Sequence, residues 1–485
     1  MHVDIRVTGG VARGTMEDGL TVFRGIAYAS LPVRLDEPGP VEPWHGVREC
    51  LSFGPPPPQS AAFGMDAAAG AHRGVGEWLT VNVWSGDIRG RAPVMVWVQG
   101  GAYAFGTSGL PEYDGSTLAR AGVVVVTFNY RVGLEGFGHV DGRPDNRGLL
   151  DQVAALRWVQ DDIEQFGGDP TRVTVFGQSA GAGSVAALLA MPRAKGLFHR
   201  AIAQSVPGTF FTPALAADVT RACAAELGVD VAELPDIDPH LLPLAADAVA
   251  DAVSADEVGY AQRWGPAAHA RVLFAPVVDG DVLPTTPWEG LSGDVPLVVG
   301  HTRDEQRLLS LVTGRTGTIT PREADRTAEV LAPDAGRYRA SLTDPEQLDE
   351  VVRSDWLFRM PSLHLAEAQL RAGGTAWLYE LTWPAPGMGG SLGACHGLDV
   401  PLVFGNLTAG QPAMLIGTVT AEAVDLSAQM RGAWTRFALH GDPGWPAYAS
   451  GTTHVFDVVP ADVPYPEQLS RDVWRQHPGV LDLTP

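Results

Sequence analysis

Cysteine is scarce in this chain of 485 residues: Cys50, Cys223 and Cys395 stand alone, at wide and irregular intervals. Such spacing fits neither a metal site nor a disulfide framework, so free thiols are expected. Lysine is scarcer still, with Lys195 its only representative. Basic residues as a whole are outnumbered, 34 Lys and Arg against 56 Asp and Glu, which leaves a net charge of −22. A chain of that sign repels phosphate backbones and anionic bilayers, so neither nucleic acid nor a membrane is an expected partner. Also missing is any apolar run of membrane-spanning length, and Met1-His2-Val3-Asp4-Ile5-Arg6-Val7 has no basic segment leading into an apolar one. The expectation is a soluble, cytoplasmic protein.

Glycine, by contrast, is plentiful at 57 residues, and one group of glycines surrounds a serine. Gly177-Gln178-Ser179-Ala180-Gly181 has the Gly-x-Ser-x-Gly form of a nucleophile elbow, in which small neighbours let a strand turn abruptly into a helix and present the serine Oγ at the bend. The five-residue pattern is weak by itself, and its context strengthens it. Val173, Val175 and Phe176 suit a buried strand before the turn, and the apolar, alanine-rich run from Val185 to Leu189 suits a packed helix after it.

The rest of the chain alternates in the same way. A hairpin is expected from Val11 to Ala29 around Glu17-Asp18-Gly19, followed by a loop rich in proline (Pro38, Pro40, Pro43). Leu51 to Gly76, with Pro55-Pro56-Pro57-Pro58, suits an irregular covering segment at the rim of a cleft. Strands are expected at Leu79–Trp84, Val94–Val98 and Val123–Phe128, the last two so continuously apolar that both faces must be covered. Val153, Leu156, Val159 and Ile163 recur at helical spacing until Gly167-Gly168-Asp169-Pro170. Further strands are expected at Ala201–Gln204, Val295–Val299 and Ala376–Leu381. Helices are expected through Leu242–Val253, over Trp356–Ala372 with Pro361 inside, and over Val424–His440. Neither an internal repeat nor a linker is visible, so the reading is one α/β catalytic domain over residues 1–485, built on a mostly parallel sheet.

A serine hydroxyl is a poor nucleophile at neutral pH; acyl transfer requires a base, a group that orients the base, and donors facing the developing oxyanion. For the base, His396 in Gly393-Ala394-Cys395-His396-Gly397 is the best placed, on a loop after a strand. His199 lies in an apolar packing run, and His301 beside an acidic loop, where an orienting or structural role suits it better. Asp304-Glu305 follows a strand at its carboxyl end, and either side chain could turn inward as the acid. Gln99-Gly100-Gly101-Ala102-Tyr103 follows another, which makes the N–H groups of Gly101, Ala102 and Ala180 the natural oxyanion donors. The chain order serine, acid, histidine is that of α/β hydrolases. No metal or organic cofactor is required. Tyr103, Phe105, Phe210 and Phe211 are candidate pocket walls, with a core role at least as suitable for each.

With these residues in place, the chain resembles the type-B carboxylesterase and cholinesterase family of α/β-hydrolases. The matching runs are Phe23-Arg24-Gly25-Ile26-Ala27-Tyr28-Ala29, Asn82-Val83-Trp84, Phe128-Asn129-Tyr130-Arg131-Val132-Gly133, Gly148-Leu149-Leu150-Asp151-Gln152 through Gly181, and Ala394-Cys395-His396-Gly397. The resemblance covers nearly the whole chain. It implies an α/β-hydrolase fold with helical insertions forming a lid over the cleft, serine esterase activity on small-molecule esters, and a monomer or weak homo-oligomer. It also implies Glu305 in preference to Asp304 as the acid, and His396 as the base. The same triad would serve carbamates, activated amides or acyl transfer to an alcohol, and cholinesterase-like folds also include non-catalytic binding proteins, which typically lack part of the triad. Departures from the family pattern are Gln99 for histidine before the oxyanion glycines, Trp78 for a disulfide cysteine, Asp399 for the commoner glutamate, and Glu135 at a position usually small or apolar.

Overall fold

The computed structural model describes residues 1–59, 77–270 and 272–477. Its strands are β1 (His2–Val7), β2 (Gly10–Glu17), β3 (Leu20–Ala27), β4 (Val47–Glu49), β5 (Thr80–Ser85), β6 (Ala92–Val98), β7 (Val124–Phe128), β8 (Gly168–Gln178), β9 (Arg200–Gln204), β10 (Leu297–Thr302), β11 (Ala376–Leu381), β12 (Thr452–Phe456) and β13 (Ala461–Pro464). All join one sheet in the spatial order β1-β2-β3-β5-β7-β6-β8-β9-β10-β11-β12-β13, with β4 beside β2. From β7 to β12 every neighbouring pair is parallel; the pairs on either side along that order are antiparallel, and β4 is parallel to β2. The elbow strand β8 lies inside the parallel part.

Parallel strands covered on both faces must be apolar on both, and the two faces can be read residue by residue. Val94, Val96, Val98, Val124, Val126 and Val175 pack with Val153 and Leu156 of helix Arg147–Asp162 and with Val185 and Leu188 of helix Ala180–Ala190. The alternate residues Met95, Trp97, Val125, Phe176 and Ile202 pack with Met430, Trp434 and Phe437 of helix Ala421–His440. The result is a sheet between two helical layers, the α/β-hydrolase architecture.

Local signals hold where sterics set them. Glu17 pairs with Leu20 across Asp18 (φ 46°) and Gly19 (φ 83°), both left-handed as a two-residue hairpin turn requires. Helix Ala421–His440 stops at Gly441 in the left-handed conformation, φ 75°. Of the boundaries that differ from expectation, two bear on the site. The strand expected at Val295–Val299 runs instead from Leu297 to Thr302, carrying His301 into the sheet. The helix expected from Trp356 is a π-helical turn, Asp355–Arg359, continued by helix Met360–Arg371 with Pro361 in its first turn. Pro361 has no N–H to give the Leu357 carbonyl, and Gly208 N–H supplies that bond at 2.9 Å. Of the covering segment expected at Leu51–Gly76, residues 60–76 lie outside the described residues. Cys50, Cys223 and Cys395 are buried and free. Among the described residues, no helix is long and apolar enough to cross a membrane.

Candidate active site

β8 ends at Gln178, and Ser179 turns the chain with φ 58° and ψ −127°. Such a conformation is sparsely populated for a residue with a Cβ and costs on the order of 1–3 kcal/mol. Ser179 N–H donating to the Gln204 carbonyl at 2.9 Å, and Gly183 N–H donating to the Ser179 carbonyl at 2.9 Å, hold it in place. The flanking glycines are a steric requirement: a Cβ at Gly177 would lie 2.8 Å from the Val98 carbonyl oxygen, and one at Gly181 would collide with that same atom. Ser179 remains half-buried, on the wall of a cavity of about 570 Å³.

His396 and Glu305 meet from opposite directions. Glu305 opens helix Glu305–Val312 directly after β10, is fully buried, and accepts Ser205 Oγ–H at 2.6 Å and Thr302 N–H at 2.8 Å on Oε1. Its Oε2 lies 2.5 Å from His396 Nδ1. Burial pushes the Glu305 carboxyl up, but the imidazole and the hydrogen bonds outweigh it and hold the group below its ordinary range. An ionised carboxylate only accepts, so Nδ1 carries the imidazole proton and Nε2 keeps a lone pair. That lone pair accepts the Gln178 amide N–H at 3.1 Å, one residue before the serine. Phe358, on the π-helical turn, stacks on the imidazole with centroids 4.2 Å apart.

Asp304 does something else. Its Oδ2 accepts Ala394 N–H at 2.9 Å, its own N–H donates to the Ala394 carbonyl at 2.9 Å, and Oδ1 pairs with Arg307 at 3.0 Å. It fastens the histidine loop to the end of β10, and Glu305 alone of the two reaches the imidazole.

The loop after β6 lies against the elbow: a Cβ on Gly100 would be 2.8 Å from the Gln178 carbonyl oxygen and 3.3 Å from Ser179 Cβ. Gly101 (φ 116°), Ala102 (φ 51°) and Tyr103 (φ 57°) are all left-handed, and Gly133 N–H closes on the Tyr103 carbonyl at 2.6 Å. Among the described residues the N–H groups of Gly101, Ala102 and Ala180 have no acceptor, and all three residues line the cavity with Ser179 and His396. The Gln99 carbonyl accepts Tyr130 O–H at 2.7 Å, while neither side-chain amide atom of Gln99 has a partner among the described residues.

Of the remaining candidates, His199 accepts Val173 N–H at 3.3 Å, and buried His301 faces Tyr465 O–H at 3.0 Å; neither lines the cavity. Tyr103 and Phe105 do line it, whereas Phe210 packs edge-on against Trp288 at 5.4 Å. The π-helical turn adds wall residues that pattern reading did not single out, Trp356, Leu357 and Phe358. In the sequence Gln178 is only a variable position of the elbow motif and Ser205 carries no motif, because the partner of each lies far away in the chain.

Asp399 is fully buried behind the histidine loop, accepting Gln204 Nε2–H at 2.8 Å and Tyr379 O–H at 3.2 Å. Burial raises its carboxyl from an ordinary 3.8 to about 6. A raised carboxyl destabilises the folded state as pH climbs from the unfolded value through the folded one, and fully so above both. Asp399→Asn escapes that penalty. Its stability relative to the parent, from thermal melts, is expected to improve by up to roughly 3 kcal/mol between pH 4 and pH 8. A relative stability that stays flat over this range would mean that Asp399 does not ionise as placed.

These features match a known family. The model of the carboxylesterase family fits residues 2–465, and the chain belongs to that family and is a carboxylic ester hydrolase. It is 36% identical over 471 residues to para-nitrobenzyl esterase of Bacillus subtilis (strain 168), covering 93% of this chain and 94% of the relative. Phenmedipham hydrolase of Pseudarthrobacter oxydans is 32% identical over 500 residues, covering 96% and 97%. Among solved structures, a PNB esterase superposes with a TM-score of 0.84 at 33% identity, covering 97% of this chain and 99% of that one. A carboxylesterase of Geobacillus stearothermophilus gives a TM-score of 0.84 at 32% identity with the same coverage.

Proposed function

We propose that the protein hydrolyses small carboxylic esters through an acyl-enzyme on Ser179, with His396 as general base and acid and Glu305 as its orienting partner. The observation that carries this reading is the buried 2.5 Å Glu305–His396 pair, whose Nε2 meets the side chain of Gln178 in the elbow, beside a cavity lined by Ser179 and by three backbone N–H donors without an acceptor among the described residues. On substrate binding the Gln178 amide gives up Nε2 to Ser179 O–H. As Oγ attacks the ester carbonyl carbon, the proton passes to Nε2, and the charge arriving on the carbonyl oxygen falls to the N–H groups of Gly101, Ala102 and Ala180. Collapse breaks the C–O bond and the alcohol leaves with the proton from Nε2. Water repeats the sequence to release the acid. Glu305 stays ionised throughout and stabilises the imidazolium.

Leu110, Val132, Leu134, Leu242 and Met414 on the cavity wall favour apolar acyl or alcohol groups. Three buried thiols without a crosslink support the cytoplasm as the place of action. A fluorophosphonate probe tests the reading: peptide mass spectrometry is expected to find the phosphonyl group on Ser179, with p-nitrophenyl ester turnover lost in proportion. Labelling at another residue, or turnover that survives full labelling, would overturn it.

A further inference from the structure

The cavity wall carries more charge than this chemistry uses. Glu135 is offset by Arg34, whose Nε donates to Oε1 at 2.7 Å. Arg353 and Arg315 each meet Asp349, at 3.1 and 3.2 Å. Glu112 has no such partner. It sits on the short 3₁₀ turn Pro111–Tyr113, lines the cavity and is only 5% exposed. Among the described residues no Arg, Lys or His pairs with it, and its Oε2 is buried without a hydrogen bond. Burial pushes the carboxyl above its ordinary range.

The surroundings keep a place for this carboxylate. Gly410 stands against it in the left-handed conformation, φ 64°, where any Cβ would collide with Glu112 Oε2. Asn406 Nδ2 donates to the Glu112 and Asp114 carbonyls at 2.9 and 3.0 Å, which fixes the turn through its main chain and leaves Oε2 without a partner. Tyr113 and Leu110 from this turn, and Pro412 and Leu415 beyond Gly410, extend the wall on either side. Glu112 Oε2 has no donor, which is unfavourable until something supplies one, and the Glu112 side chain borders the cavity that holds Ser179.

We propose that Glu112 is a recognition subsite for a protonated primary or secondary amine carried by the ester substrate. The unsatisfied oxygen selects an N–H⁺ donor over a quaternary ammonium, because it lacks a hydrogen bond as well as a countercharge. The apolar wall around it accommodates the alkyl segment that links amine to ester. The inference rests on the Ser179 reading, since only then is the cavity a substrate site.

Competitive inhibition of p-nitrophenyl acetate hydrolysis at pH 7 tests it, with n-hexylammonium, hexyltrimethylammonium and 1-hexanol as probes. The parent enzyme is expected to bind n-hexylammonium about tenfold more tightly than either of the others, the scale of one charge-assisted hydrogen bond. In E112Q that ratio should fall to about one, and E112D should retain part of it. Reading a ratio within each enzyme cancels any general change in activity. E112Q removes a buried charge without changing shape, and a thermal melt at pH 8 checks that it folds. No preference in the parent, or the same preference in E112Q, overturns the proposal. Hydrolysis that persists in Ser179→Ala would count against the Ser179 reading instead, so the two failures are distinguishable.

Discussion

Ser179→Ala is expected to lower kcat for p-nitrophenyl esters by roughly 10⁶, the scale seen when the nucleophile of a serine triad is removed. The substitution deletes one oxygen and leaves everything else at the elbow unchanged. Alanine keeps the Cβ, so the backbone at φ 58° faces the same steric demand as before. The bonds from Ser179 N–H to Gln204 and from Gly183 N–H to the Ser179 carbonyl are main-chain and survive. Thermal stability should therefore move little while turnover collapses. What remains is the catalysis that oxyanion donors and binding supply without a nucleophile, roughly 10³–10⁴ over water in comparable triads. Purified variant with near-normal turnover would show that the reacting group lies elsewhere. Loss of activity together with a large drop in Tm would show instead that the serine is structural.

The elbow was legible in the sequence because its requirement is steric and local. Gly177 and Gly181 are glycines because the Val98 carbonyl occupies the space of a side chain at both, and a five-residue pattern records that directly. The parallel core was legible for a similar reason, since Val94–Val98 and Val123–Phe128 are apolar on both faces and only a doubly covered strand needs that. The choice between Asp304 and Glu305 was not decided by local pattern. Both carboxylates follow β10, and they part only because the helix that starts at Glu305 turns one inward while Ala394 and Arg307 hold the other. Long-range partners are silent in a single sequence. Gln178 meets His396 across 218 residues, and Ser205 meets Glu305 across 100, so neither contact could be read from the neighbours in the chain. Helix periodicity over Trp356–Ala372 was visible, but neither the π-helical turn that brings Phe358 onto the imidazole nor the distant Gly208 N–H that donates to the Leu357 carbonyl could be read from it.

Glu305→Gln should cost roughly 10⁴ in kcat, by analogy with amide replacement of a triad carboxylate, whereas Asp304→Asn should cost less than about tenfold. The difference follows from what each oxygen accepts. At position 305, Ser205 O–H and Thr302 N–H both donate to Oε1, and a glutamine would keep its carbonyl oxygen there. Its NH₂ group then faces His396 Nδ1, where a donor has replaced an acceptor. The imidazole must present a lone pair at Nδ1, which moves its proton to Nε2, and an Nε2–H cannot take the proton of Ser179. The geometry survives and the tautomer is wrong. At position 304, an asparagine oxygen can still accept Ala394 N–H, and what is lost is the pair with Arg307, whose side chain is 43% exposed. Exposed pairs of that kind contribute about 0–1 kcal/mol to stability. The pH dependence of stability separates the two roles as well. Glu305 is held below the ordinary carboxyl range, so its contribution is complete at neutral pH and disappears as pH falls through the folded-state value, a loss that the glutamine variant cannot show. Steady-state kinetics on both variants, with melts from pH 7 down to pH 3, measure all of this. If Asp304→Asn proves the more damaging to kcat, the acid has been assigned to the wrong carboxylate.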